Sequence, residues 1–251
     1  MIGLTSISFR SFTRKEIVSL AKEAGLDGIE WGSDVHVPAG DQAAALEAVR
    51  LTQEAGLAVT SYGSYMKAGE KEAEETEFGR LLDSAAILNA PVIRVWAGTK
   101  SPSQAEDETR QRVRDSLSRF VEMARPYGIK VATEYHRNTL TENADSAVWL
   151  LDQVPGLYTY WQPNPEIPFQ ENLTELKRVR PRLLNVHVFQ WTGKENVRHP
   201  LQEGMEEWKA YVSAACAETA LPHDFLLEFV MNDQREQCLK DAAVLRQIVE
   251  I

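Results

Sequence analysis

Residues 130–134 read Lys-Val-Ala-Thr-Glu, a short apolar run that ends in a carboxylate. Three later runs repeat this design, with a strongly polar side chain at or near the end of a β-branched or aromatic stretch: Gln162, His187 and Glu228. Short apolar runs between turn signals predict buried parallel strands. Charged groups are costly there unless they are paired, hydrogen-bonded or bound to a metal. Polar ends at matching positions of four consecutive strands therefore predict one shared site.

The rest of the chain alternates strands of this kind with segments of helical periodicity. A capping box at Thr13 and Glu16 predicts the start of the first helix. Gly25, Gly56 and Gly128 predict three helix ends, because glycine takes the left-handed conformation at low cost. Eight units in 251 residues give about 31 residues each, the size of a β-strand and helix repeat. The predicted strands are residues 2–9, 27–31, 57–63, 92–98, 129–136, 157–162, 183–189 and 225–230.

Eight alternating units suit a closed barrel or an open doubly wound sheet. The open sheet usually carries a glycine-rich first turn for a nucleotide, but residues 8–12 contain no glycine. We therefore predict an α/β fold of the (β/α)₈ TIM-barrel class, as a single domain over residues 1–251. The longest connection, residues 190–204 after the seventh strand, predicts a functional loop.

The composition of the chain limits the kinds of molecule that we expect it to bind. The chain has 27 basic and 37 acidic residues, and no basic run interleaved with aromatics, which argues against nucleic acid. No apolar stretch approaches the roughly 20 residues of a membrane span. Met1 leads straight into a strand-like segment without a secretory apolar region, and Cys216 and Cys238 lack metal or redox spacing. We expect a cytoplasmic protein, and the composition leaves a homo-oligomer open.

The four polar strand ends predict a metal site. Active sites of such barrels lie at the carboxyl ends of the strands, where Glu134, Gln162, His187 and Glu228 face a common centre. Two carboxylates, an imidazole and an amide oxygen suit a divalent metal such as Mn²⁺, Mg²⁺, Zn²⁺ or Co²⁺. The alternative is structural: the glutamates could pair with a core arginine such as Arg94, and His187 could be a hydrogen-bonded core histidine.

The strand ends, the βα rhythm and the segment Glu203-Gly204 with Trp208 resemble the sugar phosphate isomerase/epimerase superfamily, the xylose-isomerase-like barrels. In that family Glu, Asp, His and Glu on strands five to eight hold one divalent ion. The resemblance places these ligands at Glu134, Gln162, His187 and Glu228, with Gln162 where the family usually has Asp. The lost charge predicts weaker metal binding, although the amide can still coordinate through its oxygen. Asn164 is an alternative oxygen donor.

The resemblance also implies a reaction. Glu134 and Glu228 are expected as catalytic residues that remove and return the proton α to a carbonyl, through an enediolate that the metal stabilises. The leading expectation is a metal-dependent isomerase or epimerase of a ketose or polyol. A dehydratase of a keto-polyol of the inosose type and a catalytically degenerate sugar-binding barrel are the alternatives. A DNA-repair endonuclease is disfavoured, because its multi-metal site needs more histidines than the five present.

Further residues near the predicted strand ends are candidates for contacting a sugar or polyol. Aromatic rims pack against the apolar face of a sugar, although core packing is an equal alternative for each tryptophan. Charged and amide side chains could orient its hydroxyl groups, and the long loop could close over it. The predicted substrate-binding residues are Glu30, His36, Tyr62, Trp96, His136, Asn164, Trp191 and Arg198.

Overall fold

A closed barrel of parallel strands forms the centre of the molecule. The computed structural model describes residues 1–70, 73–217 and 221–250. Its strands are β1 (Ile2–Thr5), β2 (Gly28–Gly32), β3 (Ala58–Lys67), β4 (Val92–Trp96), β5 (Lys130–Thr133), β6 (Leu157–Trp161), β7 (Leu183–Val188), β8 (Trp191–Thr192), β9 (Val197–Arg198) and β10 (Asp224–Leu227). Within these described ranges, β1–β7 and β10 make up the barrel, and β10 closes it against β1. The predicted (β/α)₈ TIM barrel is confirmed.

The helices surround the barrel. They are α1 (Arg14–Glu23), α2 (Gln42–Glu54), α3 (Glu74–Leu88), α4 (Asp107–Ala124), α5 (Ala144–Gln153), α6 (Phe169–Val179), α7 (Met205–Cys216) and α8 (Arg235–Val249). The predicted capping box of α1 is present, with the Thr13 hydroxyl accepting from the Glu16 amide and the Glu16 carboxylate accepting from the Thr13 amide. The predicted helix-ending glycines have positive φ: Gly25 at 66°, Gly56 at 76° and Gly128 at 69°. No helix in the described ranges has the length and apolar character needed to cross a membrane.

All eight strands differ from the prediction at one or both ends, and three of the differences bear on the site. Residues 6–9 form a turn of 3₁₀-helix, so β1 ends at Thr5. Strand β5 ends at Thr133, which leaves Glu134 just beyond it. Strand β3 continues past residue 63 to Lys67. The last difference matters most, because it brings an additional side chain to the mouth of the barrel.

The barrel interior has an apolar floor and a polar upper layer. The floor is a cluster of Val92, Ala132, Tyr160 and Leu184. Strand alternation places Arg94 on the same face of β4 as Val92, and Glu134 on the same face as Ala132. The charged layer therefore lies directly above the apolar one, towards the carboxyl ends of the strands.

The long connection after β7 contains an antiparallel hairpin. Trp191 pairs with Arg198, and Thr192 pairs with Val197. The Trp191 ring stacks on Phe189, with 4.1 Å between ring centroids, and also packs against Phe229. The hairpin is thereby fixed beside the mouth of the barrel, at the rim where the sequence predicts the site.

Candidate metal and active site

Three of the predicted ligands converge at the carboxyl ends of β5, β7 and β10. Glu134, His187 and Glu228 are buried, and one potential ligand atom from each lies within 4.8 Å of the others. His187 Nδ1 is 3.5 Å from Glu134 Oε1 and 3.3 Å from Glu228 Oε2. The backbone amides of Glu134 and Glu228 continue the strand pairing, donating to Val95 and Val188. Strand geometry thus fixes where both carboxylates project.

Gln162 faces the same point. It follows the last residue of β6, and its Oε1 lies 3.2 Å from His187 Nδ1. An amide oxygen at this position can serve as a neutral metal ligand. Asn164, the alternative donor, does not turn inward: its Oδ1 accepts from the Glu166 amide at 2.9 Å, within its own loop. The structure contradicts the suggestion that Asn164 supplies the ligand oxygen.

Arg94 is the cation of the polar layer. Its side chain is 1% exposed, and it forms ion pairs with Glu134 and, at 3.5 Å, with Glu30. Burial acts to lower the pKa of Arg94, but Glu134, Glu30 and Glu228 outweigh burial and raise it. Burial likewise acts to raise the pKa of Glu134, but Arg94 and His187 hold it well below its usual range. Both groups are therefore charged.

Glu30 lies on the far side of His187 from the other glutamates. Its Oε1 is 3.4 Å from His187 Nε2, and its Oε2 accepts from the Ser61 hydroxyl at 2.7 Å. Burial acts to raise the pKa of Glu30, but Arg94 and His187 lower it overall. Glu30 is only 1% exposed and enclosed by these partners, and its predicted role as a substrate contact stays a prediction. Its position also suits orienting the His187 ring.

The donor set fits a divalent metal. Carboxylate oxygens, an amide oxygen and an imidazole nitrogen suit hard and borderline cations. In the described polar layer, three glutamates and Arg94 leave two negative charges when His187 is neutral, which is the charge that a divalent cation offsets. Glu134 Oε2 is used by Arg94 and Trp96, whereas its Oε1 faces His187. Glu134, Gln162, His187 and Glu228 are therefore the residues that would hold the ion.

Several predicted substrate contacts line the mouth above this layer. Trp96 Nε1 donates to Glu134 at 2.6 Å, and the Trp96 ring stacks on His136, with centroids 4.5 Å apart. His136, Asn164 and Trp191 line one cleft together with Gln162. Arg198 lies over the rings of Trp191 and Phe229 and pairs with Asp233 at 2.6 Å. These positions leave all five side chains beside the opening.

The structure contradicts two other predicted contacts. Tyr62 is fully buried, and its hydroxyl donates to the Val37 carbonyl at 2.6 Å. His36 packs edge-on against Trp31, and its Nε2 lies 2.9 Å from the Phe12 carbonyl. Both side chains belong to the layer between the strands and the helices. The Trp31 side chain also points away from the barrel interior, towards α2, where its indole donates to Thr52.

Tyr65 takes the place at the mouth that the sequence analysis assigned to Tyr62. Side chains of β3 alternate, and Gly63 faces inward: a Cβ there would lie 2.6 Å from Glu30 Oε1. Tyr65 therefore also faces inward, over Arg94 and beside Trp96. Its hydroxyl accepts a hydrogen bond from Arg10. Tyr65 could have been found from the alternation of inward and outward side chains, continued for two residues beyond the predicted end of the strand.

Comparisons with known proteins agree with this architecture. The family model described as "Xylose isomerase-like TIM barrel" matches residues 18–248. A 3-dehydroshikimate dehydratase from Bacillus anthracis is 28% identical over 163 residues. That match spans 61% of this chain and little more than half, 57%, of the relative's length.

Solved structures show the same fold. The probable 3-DHS dehydratase AsbF from Bacillus anthracis superposes with a TM-score of 0.83 at 19% identity, covering 98% of both chains. A D-psicose 3-epimerase gives 0.76 at 16% identity, covering 99% of both chains. The zinc-bound IOLI protein gives 0.78 at 14% identity, covering 99% of this chain and 98% of the other. At these identities the likeness establishes the fold alone.

Proposed function

The chain belongs to the xylose isomerase-like TIM barrel family, and we propose that it is a divalent-metal-dependent enzyme that removes a proton from the carbon next to a carbonyl group. The metal, when bound, supplies a fixed positive charge at the oxygen where negative charge develops. Glu134 and Glu228 are the carboxylates at the site, and the mouth carries aromatic and polar groups suited to a hydroxylated substrate.

We propose dehydration of a cyclic hydroxyketone, a class that includes the inososes and 3-dehydroshikimate, as the leading reaction. The observation that carries it is the unequal environment of the two glutamates. Arg94 and Trp96 both donate to Glu134 Oε2, which keeps this carboxylate ionised. In the described part of the chain, the ion pair of Glu228 is with His187 alone. Glu228 thus has fewer hydrogen-bond and ion-pair partners than Glu134, and we assign it the role of the base.

The proposed step needs one base. Glu228 accepts the proton from the carbon α to the carbonyl, and the electron pair of that C–H bond forms the new double bond. The hydroxyl at the β carbon leaves and departs as water after gaining a proton. Tyr65 and His136, at the mouth, are the candidate donors of that proton. The similarity to a 3-dehydroshikimate dehydratase supports this order of preference.

Epimerisation of a ketose is the second candidate. Glu134 Oε1 accepts no hydrogen bond from Arg94 or Trp96, so both carboxylates present an oxygen to the same point. Two carboxylates on one centre are what a two-base proton exchange requires. The hydrogen bonds from Arg94 and Trp96 to Glu134 argue against epimerisation, because an epimerase needs each carboxylate to gain and lose the proton in turn.

The test is a substrate screen in D₂O on protein reconstituted with Mn²⁺, Mg²⁺, Zn²⁺ or Co²⁺. Dehydration is expected to appear as the ultraviolet absorbance of a conjugated carbonyl, with 3-dehydroshikimate and inososes as first substrates. Epimerisation would instead place deuterium on the α carbon of a ketose without loss of water. Ligand binding without either change would contradict the proposal and favour a sugar-binding barrel without catalysis.

A further inference from the structure

Two arginines from distant parts of the chain meet at the rim next to Glu228. Arg10 lies between β1 and α1, and Arg198 lies in β9 of the hairpin. Both guanidinium groups lie over the ring of Phe229, at 5.6 Å and 5.1 Å from its centroid. Phe229 directly follows Glu228. The stacking therefore places two positive charges beside the proposed catalytic carboxylate.

Hydrogen bonds from their nitrogen atoms hold the two guanidinium groups in place. Arg10 donates to Asp34 at 2.6 Å, to the Ile7 carbonyl at 3.1 Å, and to Tyr65. The described hydrogen bonds of Arg198 all use Nη1, which donates to Asp233 at 2.6 Å and to the Val230 carbonyl at 3.4 Å. Nε and Nη2 of Arg198 remain available as a parallel pair of donors. Guanidinium forks of this kind match the oxygens of a carboxylate or a phosphate.

A groove runs between the two arginines. Ser8, Ser11 and Phe229 line it together with Arg10 and Arg198. The Ser8 hydroxyl accepts from the Phe229 amide at 2.8 Å and so ties the groove to the strand end that carries Glu228. Backbone, aromatic ring and guanidinium groups thus line one groove at the rim, next in sequence to Glu228.

The backbone that carries Phe229 is unusual. Phe229, Asn232 and Asp233 have φ values of 46°, 58° and 50°, in the left-handed region that residues other than glycine rarely adopt. Such conformations concentrate at functional sites, where the surrounding contacts over-determine them. Here the strained segment places the Phe229 ring beneath both arginines and directs Asp233 to Arg198.

We propose that Arg10 and Arg198 form an anion subsite that binds a carboxylate or phosphate group of the substrate. The inference rests on the proposed function, since it names a group carried by the substrate of the same site. A substrate anchored there would present its reacting carbon towards Glu228. The aspartates serve as exchangeable partners that hold the arginines in place before the anion arrives.

Binding, measured without turnover, tests the subsite. The probes are inorganic phosphate, 3-dehydroshikimate and the methyl ester of 3-dehydroshikimate, titrated by calorimetry into the metal-reconstituted protein. We expect phosphate or the free acid to bind, and the ester to bind at least about tenfold more weakly than the acid. Arg10→Gln and Arg198→Gln should each weaken the bound anion at least about tenfold. Arg50→Gln, an exposed helix residue paired with Glu54, is the matched control and should change nothing.

Asp233→Asn gives a change of opposite sign. It leaves both arginines intact and removes the carboxylate that competes for Arg198, so the anion should bind more tightly. The subsite would be overturned if anion binding were unaltered both in Asp233→Asn and in a folded Arg198→Gln protein. The arginines would then have only a structural role in holding the hairpin against the rim.

The two proposals fail separately. Arginine-dependent anion binding in a protein that never exchanges or eliminates substrate protons would retain the subsite and defeat the proposed function. Turnover of 3-dehydroshikimate with the same KM in wild type and in Arg198→Gln would retain the function and defeat the subsite.

Discussion

Arg94 is the residue on which the charged layer depends. It is buried between Glu30 and Glu134, and its charge offsets part of theirs in the absence of a metal. A buried ion pair often adds little net stability compared with apolar residues of the same volume, but removing one partner leaves the other charge uncompensated. The consequences of losing Arg94 should therefore be large.

Arg94→Gln is expected to lower the free energy of unfolding by about 3–5 kcal/mol, because Glu30 and Glu134 lose their buried partner. Chemical denaturation of the metal-free protein measures it. The double variant Arg94→Gln, Glu30→Gln should recover part of the loss, since one stranded charge is removed with its partner. Additive losses in the double variant would show that Arg94 and Glu30 do not interact.

Gln162→Asp should tighten the binding of Mn²⁺. The change restores a third negative charge to the ligand set, and position 162 already faces His187. Its risk is the shorter side chain, which has to reach the same point. Calorimetric titration of both proteins measures the effect, with Gln170→Asp at the exposed start of α6 as the control. Equal or weaker affinity in Gln162→Asp would mean that residue 162 is not a ligand.

Glu134→Gln and Glu228→Gln should each reduce turnover by about 10²–10⁴-fold while the fold stays intact. Each change keeps the shape of the side chain but removes a ligand charge, and Glu228→Gln also removes the proposed base. Steady-state kinetics at saturating metal, with circular dichroism as the check on folding, measures both. Near-wild-type turnover in Glu228→Gln would place the base elsewhere.

The convergence of Glu134, His187 and Glu228 could be predicted from the sequence because it depends on local pattern. A buried strand that ends in a carboxylate is visible in five residues, and neighbouring strands must bring their ends together. Which side chains of β3 point into the barrel could not be predicted as well. The register between β2 and β3 shifts at Ile29 and Glu30, and the strand extends to Lys67. Tyr65, and not Tyr62, faces the mouth for that reason.

At the scale of the element, local chemistry decides where helices begin. Thr13 and Glu16 satisfy each other's backbone amides at the start of α1, and α1 in turn packs on α2 and α8. Local sequence is not sufficient for residues 6–9. They resemble a strand in their apolar character, but they form a 3₁₀-helix as the chain leaves the barrel. Hydrophobicity alone does not separate these two outcomes.

Thr13→Ala should lower the free energy of unfolding by about 1 kcal/mol, because the first turn of α1 loses its side-chain cap. Thermal or chemical denaturation measures the change. Thr174→Ala, whose hydroxyl lies on the exposed face of α6, is the matched control and should be close to neutral. An equal effect in both variants would mean that the cap of α1 contributes nothing specific.

At the scale of the whole molecule, the proposed site predicts that metal binding and folding are linked. The proposed ligands come from the ends of β5, β6, β7 and β10, so they are brought together only in the closed barrel. A ligand that binds only the folded state stabilises it by about 2.7 kcal/mol at a free concentration of 100 times its dissociation constant. Mn²⁺ should therefore raise the melting temperature, and EDTA should reverse the rise. A melting temperature indifferent to millimolar Mn²⁺ would contradict the metal site.

The meeting of Arg10 and Arg198 belongs to this largest scale and could not be predicted. Nothing in either local sequence points to the other, and they approach only because β10 closes the barrel against β1. The hairpin then folds back over Phe229. Arg198 was predicted as a residue of a closing loop, but its aromatic platform and its neighbouring arginine depend on tertiary structure.

The Arg94 ion pairs also bear on the order in which a metal-loaded molecule would be assembled. An acidic barrel that relied on the metal for its only positive charge would have to wrap itself around the ion as it folds. Here the chain brings its own cation inside, so the barrel can close first and receive the ion later through the open mouth. Loading would then be a reversible exchange with the surroundings, and we expect that the protein can be emptied and refilled with a different divalent ion without unfolding.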